Sequence, residues 1–286
     1  MSAETLQDSR MGRLIEQALQ EDIGFGDITS ESLVPEEQLG RAVLQVKENG
    51  IISGMEVVSI VFQYADAQTT TKPAIGDGAL VTAGQIIGEI DGPVRGILLG
   101  ERVALNFLQR MSGIATLTHK YVHAVSGTNA KITDTRKTVP GLRMLDKKAV
   151  HDGGGVNHRF GLDQMVLIKD NHIAAAGGLS NAVAACRKYL RARDLKIAIE
   201  VETTSIRQVE EAVKCEGLSR IMLDNFSVED MAAAVRIIDH TVEVEASGGV
   251  NLQTVRPIAE TGVDFISVGA LTHSPKALDI SLEIVS

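Results

Sequence analysis

Basic residues are concentrated in one stretch of this sequence, residues 131–172. The stretch holds eight lysines and arginines against five aspartates, so its net charge is 8 − 5 = +3. The rest of the chain has 20 basic and 32 acidic side chains, or −12. Several of the cations lie beside glycines or at the ends of apolar runs. These positions do not fit the alternative interpretation, in which the cations form the solvated face of a helix. We therefore predict a recessed site for a small anion in this stretch.

The candidate ligands for the anion are Arg136, Lys137, Arg159 and Lys169, together with His158. Arginine suits bidentate pairing with carboxylate or phosphate oxygens, whereas lysine acts more as a point charge. Each hydrogen bond to a charged group contributes about 1.5–3 kcal/mol, so three or four of them would hold a small dianion firmly. The alternative is that these cations form internal salt bridges with neighbouring aspartates.

Two carboxylates, Glu202 and Asp224, lie at the ends of successive apolar runs. Beside a phosphate-rich ligand, carboxylates in such a place usually hold a magnesium ion or ribose hydroxyls. Glu200 lies two residues before Glu202 in the same run, so both side chains point to the same face and Glu200 lies one layer deeper. We expect Glu200 to have a structural partner.

Glycine-containing loops follow the last two β-rich runs of the chain. Ser247, Gly248 and Gly249 follow the first of these runs, and Gly269 and Ala270 follow the second. Loops in this place often bind phosphate through backbone N–H groups, and glycine permits the backbone to come close. Either loop alone would be explained by a tight turn, but the pair favours phosphate binding.

Composition excludes several classes of function. The net charge of −9, the aromatic content of 3% and the lack of tryptophan argue against a nucleic-acid surface. Two cysteines fit neither a disulfide framework nor a four-ligand zinc site. No apolar run approaches the roughly 18 residues of a membrane span, and the charged start differs from a signal peptide, so a cytoplasmic protein is expected.

Familiar motifs for nucleophilic or nucleotide chemistry are missing from the sequence. No Ser-His-Asp or Cys-His arrangement stands out, and neither GxxxxGK[ST] nor GxGxxG occurs between a strand and a helix. Nucleotide triphosphate hydrolysis and dinucleotide redox chemistry are therefore both poor fits to this sequence.

The elements that must position these residues repeat in the second half of the chain. Each of six short β-rich runs ends in polar residues and most are followed by a helical stretch, which predicts buried parallel strands. The runs are 131–137, 164–171, 196–202, 220–225, 242–249 and 264–270. Because polar residues end every run, we predict a small β/α barrel in which they converge on one mouth, with a doubly wound sheet as the alternative.

The first half of the chain has another organisation. Short glycine-punctuated strands and an apolar helix predict a mixed α/β domain over residues 1–112, with the barrel over residues 113–273. A long helical stretch, residues 100–126, joins them and is expected to break near Ser112-Gly113. The alternating segment 276–285 predicts a strand, so we expect the tail 274–286 to return to the first domain.

Taken together, the sequence closely resembles the quinolinate phosphoribosyltransferase (nicotinate-nucleotide pyrophosphorylase, carboxylating) family. The resemblance rests most specifically on TDTRKTVPGLR, GGGVNHR and KDNH, and also on GERVALNFLQRMSGIAT, LDNF and EASGGV. It extends from about residue 21 to residue 274. One departure is Lys148, where the family pattern suggests an aromatic residue.

The resemblance implies an incomplete β/α barrel of six or seven parallel strands with an N-terminal mixed α/β domain. It implies quinolinate and phosphoribosyl pyrophosphate as substrates, Mg²⁺ as cofactor, and nicotinate mononucleotide, pyrophosphate and CO₂ as products in NAD synthesis. It also implies a homodimer, with higher oligomers left open, in which Arg102 reaches the partner's site. The implied substrate-binding residues are Arg102, Thr135, Arg136, Lys137, His158, Arg159, Lys169, Glu202, Asp224, Ser247, Gly248, Gly249, Gly269 and Ala270.

Within that set, Lys137, Lys169, Glu202 and Asp224 are the predicted catalytic residues, and Glu202 and Asp224 the predicted Mg²⁺ ligands. Three other functions stay open on the sequence. One is a nicotinate phosphoribosyltransferase, which would need fewer cations for a single carboxylate. The second is a sugar-phosphate aldolase or isomerase with Lys169 as a Schiff-base lysine, and the third is a catalytically silent binding protein.

Overall fold

A computed structural model describes residues 3–285, with side chains from residue 10 onward. The chain divides into two compact units. The first comprises the chain up to Leu117, Pro140–Gly154 and the chain from Pro275, and the second comprises Thr118–Val139 and Gly155–Ser274. Residues 140–154, which the sequence analysis placed in the barrel domain, therefore group with the first unit.

In its described residues, the first unit contains an antiparallel sheet and five helices. The strands are β1 (Leu39–Val46), β2 (Gly50–Ile51), β3 (Thr70–Pro73), β4 (Leu80–Val81), β5 (Ile86–Pro93) and β12 (Ile280–Val285). The sheet has the strand order β12-β1-β5-β3, and β2 pairs with β4 in a separate ribbon. The helices are α1 (Ala3–Ile23), α2 (Ile28–Leu33), α3 (Met55–Ala65), α5 (Arg143–Asp152) and the first part of α4 (Val94–Ala124).

The second unit alternates strands and helices. The strands are β6 (Lys131–Thr133), β7 (Met165–Ile168), β8 (Ala198–Thr203), β9 (Arg220–Asp224), β10 (Glu243–Ser247) and β11 (Phe265–Ser267). The helices between and after them are α6 (Asp170–Ala176), α7 (Leu179–Ala192), α8 (Ile206–Ala212), α9 (Val228–Ile238), α10 (Val255–Glu260) and α11 (Ala270–His273).

The order of the six parallel strands identifies an incomplete barrel. Strands β7 to β11 are neighbours in chain order, and β6, the first strand, pairs with β11, the last. A doubly wound sheet would reverse direction at a switch point, whereas here the chain proceeds one way round the sheet. The gap falls between β6 and β7, where Val156 makes an isolated bridge to Thr133. The predicted fold class is confirmed, with six parallel strands.

Helix α4 is continuous through Ser112 and Gly113, so the predicted break there is wrong. A Cβ atom on Gly113 would lie 2.2 Å from the carbonyl oxygen of Lys276. This glycine therefore allows the C-terminal segment to pass close to the helix, just before that segment forms β12 along β1. Among the described residues, no helix is both long and apolar enough to span a bilayer.

Candidate active site

A cavity of about 790 Å³ lies at the carboxyl ends of the parallel strands of the second unit. It is lined by every predicted site residue except Arg102: Thr135, Arg136, Lys137, His158, Arg159, Lys169, Glu202, Asp224, Ser247, Gly248, Gly249, Gly269 and Ala270. Parallel strands bring these residues together because their carboxyl ends point to the same mouth. Arg102 lies on α4 in the first unit, where its side chain is 63% exposed.

The cavity also has lining residues that the sequence analysis did not select. They are Asp134, Leu167, Met222, Asn225, Glu245, Val250, Ser267 and His273. Most of them lie on or beside the strand ends that carry the selected residues, so their position next to those strand ends could have identified them as lining residues.

Arginines form the cationic part of the cavity wall. The Nε atom of Arg136 is buried and has no hydrogen-bond partner among the described residues. Arg159 is anchored by a hydrogen bond of 2.9 Å from its Nη1 to the carbonyl oxygen of Met165. Burial and then the positive charge of Arg136 lower the pKa of the Arg159 guanidinium. A buried donor without a partner, crowded by a like charge, makes an anion the fitting occupant.

The segments that carry the two arginines are tied to each other through Asp134. This buried carboxylate directly follows β6, and its Oδ1 accepts a hydrogen bond of 2.8 Å from the backbone N–H of His158. Just after Asp134, on the segment of Arg136, the Thr135 hydroxyl accepts a hydrogen bond of 3.1 Å from the backbone N–H of Lys137. The local backbone thus sets the direction of Arg136 and Arg159.

His158 lines the cavity, but both of its ring nitrogens already bond within the protein. Its Nε2 lies 3.0 Å from Glu200 Oε2 and 3.4 Å from Glu245 Oε2. Its Nδ1 accepts a hydrogen bond of 2.9 Å from the backbone N–H of Arg159. Glu200 is fully buried and has the structural partner that the sequence analysis expected.

The protonation of this group of residues follows from two opposing effects. Burial disfavours the charged imidazole, but hydrogen bonds and charges from Glu200 and Glu245 outweigh it and raise the pKa of His158 to about 9. A hydrogen bond accepted at Nδ1 nevertheless requires that this nitrogen carry no proton. We assign the ring proton to Nε2 from that geometry. Burial raises the pKa of the Glu200 carboxyl, whereas at Glu245 burial is outweighed by hydrogen bonds from His158 and Arg220, which lower the pKa of that carboxyl.

Lys169 and Glu202 form an ion pair, with 2.5 Å between Nζ and Oε2. Lys169 precedes α6, and His172 stabilises the start of that helix by accepting a hydrogen bond of 2.9 Å from the Lys169 backbone N–H. Lys169 is therefore held at the cavity mouth by its backbone as well as by its charge.

Asp224 is held through a residue that the sequence analysis missed. Asn225 has a positive φ of 57°, a conformation that asparagine tolerates better than most residues. Its side-chain amide donates to Asp224 Oδ2 at 2.9 Å, and its backbone N–H donates to the carbonyl oxygen of Ser247 at 2.9 Å. Gly248 leaves room for it, since a Cβ there would lie 2.3 Å from Asn225 Oδ1.

Two groups of side chains have the chemistry of metal ligands. Glu202 and Asp224 offer carboxylate oxygens, which suit Mg²⁺, and in the described part of the chain Oε1 of the first and Oδ1 of the second make no hydrogen bond. The second group, His158, Glu200 and Glu245, is buried, with ligand atoms within 4.8 Å of one another. There the Arg220 guanidinium already supplies a cation, at 2.7 Å from Glu245.

Comparison with known proteins accounts for both units. The quinolinate phosphoribosyl transferase N-terminal domain matches residues 27–112, and the C-terminal domain of the same family matches residues 114–283. The chain belongs to the quinolinate phosphoribosyltransferase family. These matches cover nearly all of the region in which the motifs of the sequence carried the resemblance.

Relatives in this family are similar over most of their length. A chloroplastic nicotinate-nucleotide pyrophosphorylase [carboxylating] of Arabidopsis thaliana is 45% identical over 95% of this chain and 82% of its own. Among solved structures, the nicotinate-nucleotide pyrophosphorylase from Francisella tularensis has 40% identity and a TM-score of 0.92, covering 97% of this chain and 96% of its own. The protein of the same name from Ehrlichia chaffeensis has 38% identity and a TM-score of 0.89, covering 100% of this chain and 99% of its own.

Proposed function

We infer that this chain transfers the phosphoribosyl group of phosphoribosyl pyrophosphate to quinolinate, with loss of CO₂. The products are nicotinate mononucleotide, pyrophosphate and CO₂, and the reaction serves NAD biosynthesis. Within the family, the observation that best supports the reaction here is a cavity lined by Arg136 and Arg159, which form its cationic side, and by the carboxylates and glycine loops at the ends of β8 to β11. Quinolinate has two carboxylates for the first side, and the sugar and phosphates suit the second.

The cationic side would bind and orient quinolinate. The guanidinium groups of Arg136 and Arg159 line the cavity and would donate to the two carboxylates of the substrate. Holding both carboxylates orients the pyridine ring, so that its nitrogen lone pair points to C1 of the ribose. The C1–N bond then forms as the bond from C1 to pyrophosphate breaks.

The opposite side would hold the sugar phosphate. We propose that Glu202 and Asp224 bind ribose hydroxyls and Mg²⁺, and that the loops of Ser247, Gly248 and Gly249 and of Gly269 and Ala270 hold phosphate through backbone N–H groups. Bound Mg²⁺ would neutralise charge on the departing pyrophosphate. The carboxylates also stabilise positive charge that develops at C1.

Decarboxylation would follow from the charge that the first step creates. The ring nitrogen is positive once the C1–N bond has formed, so the bond between ring carbon C2 and its carboxylate breaks with its electron pair left on C2. A proton from the ammonium group of Lys137 or Lys169 then completes the product. Lys169 lies in the cavity wall, where its ammonium group bonds the carboxylate of Glu202.

The function is tested by product formation from purified protein. With quinolinate, phosphoribosyl pyrophosphate and Mg²⁺, we expect nicotinate mononucleotide and CO₂ in equal amounts, and we expect EDTA to stop the reaction. Nicotinate in place of quinolinate should react at least about 10⁴-fold less efficiently, because cations meant for the missing carboxylate would stay unpaired. Comparable turnover of nicotinate would instead favour the salvage reaction.

We further propose a homodimer in which Arg102 completes the partner's site. The exposure of Arg102 supports this, since the nearest acidic group is Glu101 at 3.8 Å and the residue lies outside the cavity lining of its own chain. An arginine that binds a carboxylate across a dimer interface would need to be accessible in the isolated chain.

Mixing inactive variants tests site sharing. Arg102→Ala and Arg136→Ala proteins should each be nearly inactive alone. After co-refolding in equal amounts, about one quarter of wild-type activity should return, because half of the dimers are mixed and each contains one intact site. Mixing either variant with Arg256→Ala, which changes an exposed surface pair on α10, controls for subunit exchange. Activity no higher than the sum of the separate variants would contradict the shared site.

A further inference from the structure

A line of charged side chains runs through the interior of the six-stranded sheet, below the cavity. We call Arg220, Glu245, His158 and Glu200 the buried charge ladder. Arg220 Nη1 lies 2.7 Å from Glu245 Oε2, and His158 Nε2 bridges the Oε2 atoms of Glu245 and Glu200 at 3.4 and 3.0 Å. Both glutamates are fully buried. The ladder therefore joins the amino end of β9 to the floor of the cavity.

Strand register brings the members of the ladder together. Arg220 is the first residue of β9 and pairs across the sheet with Glu200 on β8 and with Glu243 on β10. Glu245 is two residues further along β10, so it lies on the same face as Glu243, one layer closer to the cavity. The guanidinium of Arg220 also stacks on the ring of Phe265, 3.8 Å from its centre. Packing thus restricts Arg220 on several sides.

The carboxylates of the ladder depend on these few contacts. The Oε1 atoms of Glu200 and Glu245 are buried and have no hydrogen-bond partner among the described residues. Each carboxylate is therefore oriented through its Oε2 contacts. Removing Arg220 would leave the Nε2–H of His158 as the remaining side-chain donor to Glu245 among the described residues, so that buried carboxylate would depend more strongly on the imidazole.

Movement of His158 would reach the substrate side directly. The backbone N–H of His158 bonds to Asp134, and the Nδ1 atom of its ring accepts the backbone N–H of Arg159. Arg159 in turn carries one of the guanidinium groups that line the cavity. A shift of the imidazole would therefore redirect Arg159, the residue that follows it.

We propose that Arg220 is a positioning residue for quinolinate binding, acting through Glu245 and His158 on Arg159. This rests on the proposed function, since quinolinate is taken as the ligand. It gives His158 a role inside the protein as well as at the cavity wall. It also predicts an effect confined to one of the two substrates, although Arg220 touches neither.

The test compares four variants: Arg220→Met, Glu245→Gln, the double variant, and Glu243→Gln as the matched control. Arg220→Met should raise both the KM for quinolinate and its Kd in calorimetry about tenfold. The KM for phosphoribosyl pyrophosphate should stay within about twofold, since the other side of the cavity is unchanged. The double variant removes charge and counter-charge together, so quinolinate binding should recover to within about threefold of wild type. Glu243→Gln removes a half-exposed partner of the same arginine and should change neither constant.

Three outcomes would overturn the proposal. One is an equal rise in both KM values that follows the fall in Tm, which would indicate a merely structural role. The second is a double variant no better than Arg220→Met, and the third is unchanged quinolinate binding in Arg220→Met. If Arg220→Met does not fold, Arg220→Lys and the double variant supply the same comparison. Failure of the proposed function itself would appear differently, as wild-type protein that neither binds quinolinate nor forms product.

Discussion

Replacing Arg136 with methionine should lower kcat/KM for quinolinate by about 10²- to 10³-fold, the usual result of truncating one partner of a desolvated charge pair. The reason is the guanidinium of Arg136, which lines the cavity and whose Nε has no hydrogen-bond partner within the described protein. Methionine keeps much of the volume of the side chain but removes every donor. Steady-state kinetics with each substrate, together with thermal unfolding, measure the effect.

The same variant should also lose selectivity. Without Arg136, one carboxylate of quinolinate lacks its cation, so the preference for quinolinate over nicotinate should fall markedly. Stability should change little, because no internal hydrogen bond of the Nε atom is lost. Arg256→Met is the matched control, since that arginine forms an exposed pair with Glu260 on α10. Unchanged quinolinate kinetics in Arg136→Met would remove the main physical support for the cationic side of the site.

The second large effect is expected from Gly248→Ala. Gly248 has a φ of +93°, and its Cβ would lie 2.3 Å from Asn225 Oδ1 and 2.9 Å from the Asn225 backbone nitrogen. The backbone strain and the collision together should lower the free energy of unfolding by about 3 kcal/mol. Because Asn225 holds Asp224, catalysis should suffer as well, with kcat/KM for phosphoribosyl pyrophosphate reduced by about 10²-fold or more.

Gly249→Ala is the matched control for this prediction. Gly249 has a φ of +62°, but a Cβ there would meet nothing within 4 Å. Only the cost of a left-handed conformation remains, about 1 kcal/mol, and the backbone N–H groups of the loop are retained. The loss of stability and of activity should therefore be clearly smaller than in Gly248→Ala. Equal effects in both variants, measured by chemical denaturation and kinetics, would contradict the role assigned to the contact between Gly248 and Asn225.

Much of the site could be predicted from the sequence because the residues of a parallel-strand mouth are placed by local rules. Lys169, Glu202 and Asp224 each end or follow an apolar run, and in a β/α repeat the ends of such runs meet. The cations of residues 131–172 could also be recognised from the sequence, because the rest of the chain is acidic. Motif similarity then indicated the family, which the matches to both of its domains bear out.

Only the tertiary structure determines which residues that are distant in sequence contact one another. The pairing of β6 with β11 is one such contact, because it forms only when the strands close round a core instead of remaining an open sheet. The partners of His158 lie 42 and 87 residues away, at Glu200 and Glu245, and register across three strands brings Arg220 to the same point. Likewise, Gly113 serves a close approach to Lys276 inside a continuous helix. Sequence periodicity states which face of an element a residue occupies, whereas strand stagger and packing determine which other residues meet it there.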